Sequence, residues 1–257
     1  MARDGSLPNQ PELTLGAGTL IITPTYNERS NLEAFVEATL GNAPHAHVLI
    51  VDDNSPDGTG ALADELAARD GRVRVLHRPS KLGLGTAYNA AFQLGLREGY
   101  RYFFEMDADL SHDPKYLADF FRELEAGADI VIGSRNVTGG DIVGWGPGRH
   151  ILSKGGSLYS RLILGVSVRD LTSGYKAFRR EALQAIFADR VESNGYSFQI
   201  EMTYRALMLG LNVREVPIVF VDRQVGASKM DRKIVLEAVT KVWQLRFETW
   251  RLRHKTR

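Results

Sequence analysis

The chain alternates two hydrophobic periods, and that alternation constrains its fold more than any single residue. Thr19 to Thr23, His47 to Val51, Val73 to Leu76, Tyr102 to Phe104 and Asp129 to Ile132 are short β-branched or aromatic runs that read as buried strands. Between them, Asn31 to Leu40, Ala61 to Arg69, the segment carrying Ala90, Ala91 and Leu94, and Pro114 to Glu125 place apolar residues at helical spacing. Strand and helix in this order predict an α/β, Rossmann-like fold, with right-handed crossovers into a mostly parallel central sheet flanked by helices. Ligands of such sheets gather outside the carboxyl ends of the strands. Three of those ends are polar here: Pro24-Thr25-Tyr26-Asn27-Glu28, Asp52-Asp53-Asn54 and Asp107-Ala108-Asp109.

Asp107 and Asp109 are the centre of the expected site. Two carboxylates one residue apart, with Ser111 and His112 beyond, can hold a divalent metal by one or two oxygens and leave its other positions for phosphate. Acids converging from three loops repel one another unless a cation or a hydrogen-bonding ligand lies among them. Asp52 fits a helix N-cap equally well, and Asp57 reads as a turn or capping residue. His112 reads as a loop residue, because no second histidine stands at ligand spacing. The glycine loop Lys81 to Thr86 follows the third strand and lacks a third glycine at Tyr88, which argues against a dinucleotide-binding module. An aspartyl-phosphate phosphohydrolase would carry its acid pair on the opening strand, whereas three strand–helix units precede it here.

A formal net charge of +1 gives no global field for nucleic acid. The absence of cysteine excludes disulfides and thiolate metal sites and fits a reducing compartment. Residues 1–18 are polar, with Gly and Pro and no apolar h-region, and are expected to form a flexible leader. No uninterrupted apolar run is long enough to span a bilayer, so the expectation is a soluble or peripheral protein. In the second half, Thr138 to Gly148 is expected to be a flexible loop over the site, Arg149 to Val168 a helix weakened by Gly155 and Gly156, and Asp170 to Arg180 a turn with a short strand. Gly195 to Leu209 should start as a loop and become a helix, and Val213 to Val221 should be an edge strand interrupted by Pro217. Asp231 to Arg253 reads as one amphipathic helix with a basic end, its apolar arc holding Val235, Val239, Val242, Trp243, Phe247 and Trp250. That face either packs on the domain or lies on an anionic membrane surface.

PTYNE at 24–28, VDDNSPDGT at 51–59, DADLSHDP at 107–114, GSR at 133–135, LTSGYKAFRR at 171–180, GYSFQIEM at 195–202 and RQVGASKM at 223–230 occur in this order. Together they resemble the polyprenyl-phosphate (dolichyl-phosphate) mannose synthases of glycosyltransferase family 2, over roughly residues 19 to 230. The resemblance implies a glycosyltransferase A-type catalytic domain over 19–230, followed by the amphipathic basic helix over 231–257. It implies an inverting, metal-dependent transfer of mannose from GDP-mannose to a polyprenyl monophosphate, with Mg2+ or Mn2+, at the cytoplasmic face of a membrane. The product would be a lipid-linked mannose donor, and a membrane-anchoring protein is a possible partner. A UDP-sugar donor, glucose or N-acetylhexosamine, is the alternative.

Residue by residue, the resemblance places Pro24, Tyr26, Glu28, Val51 and Asp53 around the guanosine. It places Asp107, Ala108, Asp109 and Ser111 at the diphosphate and metal, where Ser111 stands in for a glutamine common in relatives and reaches the metal directly or through water. Arg135, Arg149 and Ser153 match the acceptor-phosphate pocket, and Arg223 and Lys229 match groups that grip donor phosphates, with Arg135 also serving the donor. Asp107, Asp109, Arg135 and Arg223 are thereby the expected catalytic set. Arginine's planar fork suits phosphate better than a lysine point charge.

Overall fold

The computed structural model describes residues 15–188, 191, 193, 195–222 and 240–247. Its main sheet has seven strands in the order β3-β2-β1-β4-β7-β5-β8. These are β1 (Thr19–Thr25), β2 (His47–Asp52), β3 (Val73–His77), β4 (Tyr102–Glu105), β5 (Ile130–Ser134), β7 (Lys176–Arg179) and β8 (Val213–Pro217). All neighbours pair parallel except β7, which runs antiparallel to both β4 and β5. The alternation in sequence therefore becomes the expected mostly parallel sheet.

Both faces of each central strand are apolar, as a doubly covered sheet requires. Leu20, Ile22, Leu49, Val51, Phe103, Ile130 and Ile132 point into one core, with Tyr88, Phe92 and Phe198. The intervening Ile21, Val48, Ile50, Phe104 and Val131 point into the other, with Phe35, Phe120 and Tyr175. The first core is closed by α3 (Leu84–Glu98), α6 (Arg180–Ile186) and α7 (Gly195–Met208). The second lies under α1 (Arg29–Asn42), α2 (Thr59–Arg69) and α4 (Leu117–Glu125). In α4 the buried residues are Leu117, Phe120, Phe121 and Leu124, one stripe at helical spacing. On α3, Gly95 lets the helix lie against the sheet, since a Cβ there would stand 2.6 Å from Phe103 Cε1 and 2.7 Å from Leu20 Cδ2.

Several segments differ from the reading of the sequence. Within the expected loop Thr138 to Gly148 lies a strand, β6 (Asp141–Val143), pairing with β9 (Val219–Val221) in a separate two-stranded sheet. The interrupted strand Val213 to Val221 is thus two strands in two sheets, with Pro217 ending β8 at the edge of the main sheet. Helix α5 (Pro147–Leu164) runs through Gly155 and Gly156, both exposed on its outer side. Of the leader, residues 15–18 form a turn fastened to the domain: Leu15 O accepts from His45 N at 3.1 Å, and Gly18 O from Arg101 N at 2.7 Å. Of the C-terminal helix only 240–247 is described; it is helical, with Val242 and Leu245 buried while Trp243 and Phe247 face outward.

Glu105 and Lys176 are opposite each other in the β4–β7 pairing, and neither has exposed surface. Lys176 Nζ donates to Gln199 O and Gln199 Oε1, both at 2.7 Å, which ties β7 to α7. Burial raises the Glu105 carboxyl from 4.5 to about 7, opposed by the Lys176 charge. Burial lowers the Lys176 ammonium from 10.5 to about 8, opposed by Glu105 and Asp170. Lys176→Met should therefore destabilise the fold by about 3 kcal/mol near pH 8, where Glu105 would either stay ionised without that cation or have to take up a proton that the unfolded chain does not hold. Between pH 4.5 and about 7 the native state holds the Glu105 proton that the unfolded chain has released, so this contribution falls as pH rises through that window. Urea unfolding of both proteins at about pH 5.5 and about pH 8 should show a smaller gap at the lower value. A gap independent of pH would contradict the assignment.

Candidate active site

The carboxyl ends of β1, β2 and β4 meet on one edge, and the loops after β1 and β2 are stitched together. Asn27 N donates to Ser55 Oγ at 3.1 Å, Glu28 N to Thr59 Oγ1 at 3.0 Å and Arg29 N to Asp57 Oδ2 at 3.2 Å. Asp52 is spent on its own turn, accepting from Thr25 Oγ1 and from Ser55 N and Oγ. Asp57 likewise accepts from Thr59 N and Oγ1; of the turn or capping role read from the sequence it takes the turn, since Gly58 is the N-cap of α2. Each of the three loops also contains one non-glycine residue in the left-handed region: Asn27 at φ 60°, Asn54 at φ 57° and Leu110 at φ 59°. Such residues persist where surrounding bonds hold them.

On the β2 side, Asp53 is buried against Arg78, whose Nε and Nη2 lie 2.6 and 3.0 Å from the two carboxylate oxygens. Burial raises the Asp53 carboxyl above its ordinary value, and Arg78 opposes this. Arg78 also donates to Thr86 Oγ1 at 2.9 Å, so it fixes the glycine loop beside Asp53. Gly83 in that loop sits at φ 100°, a conformation that excludes side chains. Lys81 lies 4.3 Å over the ring of Tyr26. Pro24, Tyr26 and Glu28 are half-buried at the same edge. Val51 is different: it has no exposed surface and belongs to the core, so the structure does not bring its side chain to the site.

On the β4 side, Asp107 and Asp109 are partly exposed and Ala108 is packed beneath them in the core. Asp109 Oδ1 accepts from Ser111 Oγ at 2.5 Å and from Ser111 N at 3.1 Å. Ser111 is buried, and its hydroxyl proton is committed to Asp109, so it orients that carboxylate. Among the described residues no group of three His, Asp or Glu side chains is arranged to hold a metal. An oxygen-only pair of acids fits Mg2+ or Mn2+, which keep several positions for water and phosphate, and does not fit a fully protein-ligated ion. His112 is buried and sits outside the donor set: its Nδ1 accepts the Asp107 backbone N–H at 3.0 Å. Burial lowers its pKa, against the pull of Asp107 and Asp109, and keeps the ring neutral.

Arg135, at the end of β5, is nearly enclosed and bound by Asp170. Arg135 Nε and Nη2 donate to Asp170 at 2.7 and 2.8 Å, Arg135 N donates at 3.1 Å, and Nη2 also reaches Thr172 Oγ1 at 3.1 Å. Burial alone would raise Asp170, but the Arg135 charge and hydrogen bonds outweigh it and hold the carboxyl below 3.8. Glu215 completes the corner by accepting Arg169 N and Asp170 N at 2.9 and 3.0 Å. The Arg135 guanidinium faces the rings of Phe220 at 5.5 Å and Trp145 at 5.9 Å. Arg135 therefore brings a directed donor with little net charge. Asn136 bridges to α5 through Ser157 Oγ at 3.4 Å. Ser153, half-buried one turn before Ser157, lies on the same side of that helix, and position 149 is a turn earlier again. Arg223 and Lys229 lie outside the described residues.

Four residues of this site escaped the sequence reading as functional: Arg78, Trp145, Asp170 and Phe220. Asp170 opens the DLTSGYKAFRR stretch and could have been found there as a partner for the arginine of GSR. Arg78 and Phe220 carry no local signal, because their partners are distant in sequence.

The sequence matches the family Glycosyl transferase family 2 over residues 20–187. It is 52% identical to the polyprenol monophosphomannose synthase of Mycolicibacterium smegmatis, over 89% of this chain and 87% of that protein. It is 49% identical to the undecaprenyl-phosphate mannosyltransferase of Micrococcus luteus, over 87% and 91% respectively. Among solved structures, the glucosyl-3-phosphoglycerate synthase of Mycobacterium tuberculosis, in complex with Mn2+, uridine diphosphate and glucosyl-3-phosphoglycerate, superposes with a TM-score of 0.65 at 19% identity, over 90% of this chain and 80% of that one. The glycosyltransferase A-type architecture expected from the sequence is the one observed.

Asp170→Ala would leave the Arg135 guanidinium enclosed without its carboxylate, at a cost of about 3–5 kcal/mol in stability. A carboxyl held below 3.8 contributes above that value and loses its contribution only as pH falls through it. The difference from the parent protein in urea unfolding should thus be undiminished at about pH 5. A difference under about 1 kcal/mol would show that the pair is dispensable.

Proposed function

The chain belongs to glycosyl transferase family 2, and we propose that it transfers mannose from GDP-mannose to a polyprenyl monophosphate, inverting the anomeric carbon. The observation that carries this reading is the 52% identity, over 89% of the chain, to a polyprenol monophosphomannose synthase. An oxygen of the acceptor phosphate forms the new bond to the anomeric carbon as the bond to the β-phosphate oxygen of GDP breaks, and the electron pair departs with GDP. The nucleophile is already an anion, so no strong general base is required. Positioning and charge compensation carry the rate.

Pro24, Tyr26, Glu28 and Asp53, with Lys81, border the nucleoside. Asp107 and Asp109, the latter oriented by Ser111, would hold Mg2+ or Mn2+. When bound, such an ion compensates the charge that develops on the leaving diphosphate. Arg135, aimed by Asp170, donates to phosphate, and Arg149 and Ser153 receive the acceptor phosphate. Arg223 and Lys229 supply the remaining positive charge to the donor; their roles rest on the RQVGASKM motif. The product is a lipid-linked mannose donor for glycolipid and protein glycosylation.

Among the described residues no helix is long and apolar enough to cross a membrane, while the acceptor is a membrane lipid. The reading therefore places the protein peripherally, on the cytoplasmic face, alone or with a membrane-anchoring partner. Leu158 and Leu162 on α5 and the stacked pair Trp243 and Phe247 are exposed apolar groups suited to that contact. Arg246 Nη1, 3.3 Å from Leu164 O, ties segment 240–247 to the end of α5.

Supplied with polyprenyl phosphate and, in parallel, GDP-mannose, UDP-glucose and UDP-N-acetylglucosamine, the protein should label lipid from GDP-mannose alone and only with Mg2+ or Mn2+. Label from a UDP-sugar would overturn the donor. Asp109→Ala should lower transfer at least about 100-fold while leaving the unfolding midpoint close to that of the parent. Trp243→Ser with Phe247→Ser should reduce co-sedimentation with anionic liposomes several-fold, because two amphipathic anchors are lost. Unchanged co-sedimentation would remove these residues from the membrane contact.

A further inference from the structure

We propose that His112 is a positioning residue that sets the direction of the Asp107 carboxylate, by locking the Asp107 peptide from below. The proposal rests on Asp107 and Asp109 as the metal and diphosphate acids. Strand β4 ends at Glu105, and Met106 N still finds a ladder partner in Ile22 O at 3.1 Å. Asp107 N is the first amide past that ladder, and it donates to His112 Nδ1 at 3.0 Å. A donor on the peptide requires a lone pair on Nδ1, so the ring proton resides on Nε2. Nε2 lies 3.9 Å from Asp107 Oδ2. One imidazole thus faces the same residue at both ends, accepting a hydrogen bond from its backbone N–H and turning a polar N–H towards its carboxylate.

The ring itself has almost no freedom. It stacks on Tyr175 at 5.1 Å and 25°, meets the edge of Phe220 at 6.0 Å and 70°, and its Cε1 lies where a Cβ on Gly174 would come within 3.3 Å. The SGY segment 173–175 therefore forms a slot for the imidazole. The turn needs such a fastening, because Leu110 within it occupies the left-handed region at φ 59°, which a leucine does not favour. Ser111 fastens the turn at Asp109 and His112 fastens it at Asp107. Phe220 also lies 5.5 Å from the Arg135 guanidinium, so the acid side and the basic side of the site lean on one ring.

The test separates hydrogen bonding from packing. In His112→Asn the side-chain Oδ1 falls near the place of Nδ1 and can accept the same amide proton, whereas His112→Leu fills the slot better but accepts nothing. Amide exchange at Asp107, read by NMR without metal, should accelerate at least about tenfold in His112→Leu and return towards the parent rate in His112→Asn. Mn2+ binding in the presence of GDP, measured by calorimetry, should weaken about 10–100-fold in His112→Leu and recover in the same order. Matching unfolding midpoints would show that all three proteins are folded. Equal Mn2+ affinity in the parent and His112→Leu, or recovery in neither measurement with His112→Asn, overturns the proposal while leaving the metal reading intact. No Mn2+ uptake by the parent protein would instead overturn the metal reading, and the proposal would fall with it.

Discussion

A lysine with no exposed surface, Lys176, joins the two halves of the main sheet. Strand β7 alone connects β4 to β5, and it enters against the direction of both. Lys176 stands opposite Glu105 in that pairing and reaches Gln199 on α7 with both of its hydrogen bonds. Burying two opposite charges gives little net stability, since their desolvation consumes most of the attraction. What the arrangement does give is register. A slip of β7 by one residue would send Lys176 and Phe178 together to the opposite core and leave the glutamate on the side of Phe103 and Phe198 without its cation. The turn before β7 carries Asp170, Gly174 and Tyr175, so the register of this strand also sets the partners of Arg135 and His112.

Charge within the site is arranged in layers. At the surface stand two partly exposed acids, Asp107 and Asp109. Beneath them the basic groups are already engaged: Arg135 by Asp170, Arg78 by Asp53 and Lys176 by Gln199, with Glu105 opposite it in the sheet. A guanidinium held by a carboxylate still directs its hydrogen bonds, but it contributes a dipole where a bare cation would contribute a full charge. In the proposed reaction, compensation for a diphosphate and a lipid phosphate would therefore fall chiefly to a bound cation and to groups that reach the site from elsewhere.

Much of this was legible in the sequence, for identifiable reasons. Strands β1, β2, β4 and β5 are continuous apolar runs, and the acids at 107 and 109 directly follow one of them. Helix α4 shows its stripe without ambiguity. Strands β6 and β9 were hidden because three residues each are too few for a period, and they pair across a long stretch of sequence. The helix through Gly155 and Gly156 was obscured because propensity weighs residues singly, while α5 is set by its buried side, with Ser157, Ser160 and Leu164. On segment 240–247 the apolar arc was too wide to orient: Val242 and Leu245 pack inward, and Trp243 and Phe247 turn out. The pair Arg78–Asp53 is a tertiary fact, since nothing at position 78 announces which charge it will meet, whereas Asp170 at least stands at the head of a recognisable stretch.

The place of β7 in the chain also bears on how the protein is made. A ribosome adds β1 to β5 to the chain before Lys176, so those strands wait for β7 before the domain can fold as a unit. Until β7 arrives, β4 is the open edge of a four-stranded half-sheet, and such edges invite pairing with other chains. The residue at the end of that edge is Glu105, a charge among aromatics. The same glutamate that is costly to enclose in the finished sheet would, on an unfinished one, disfavour pairing with another chain.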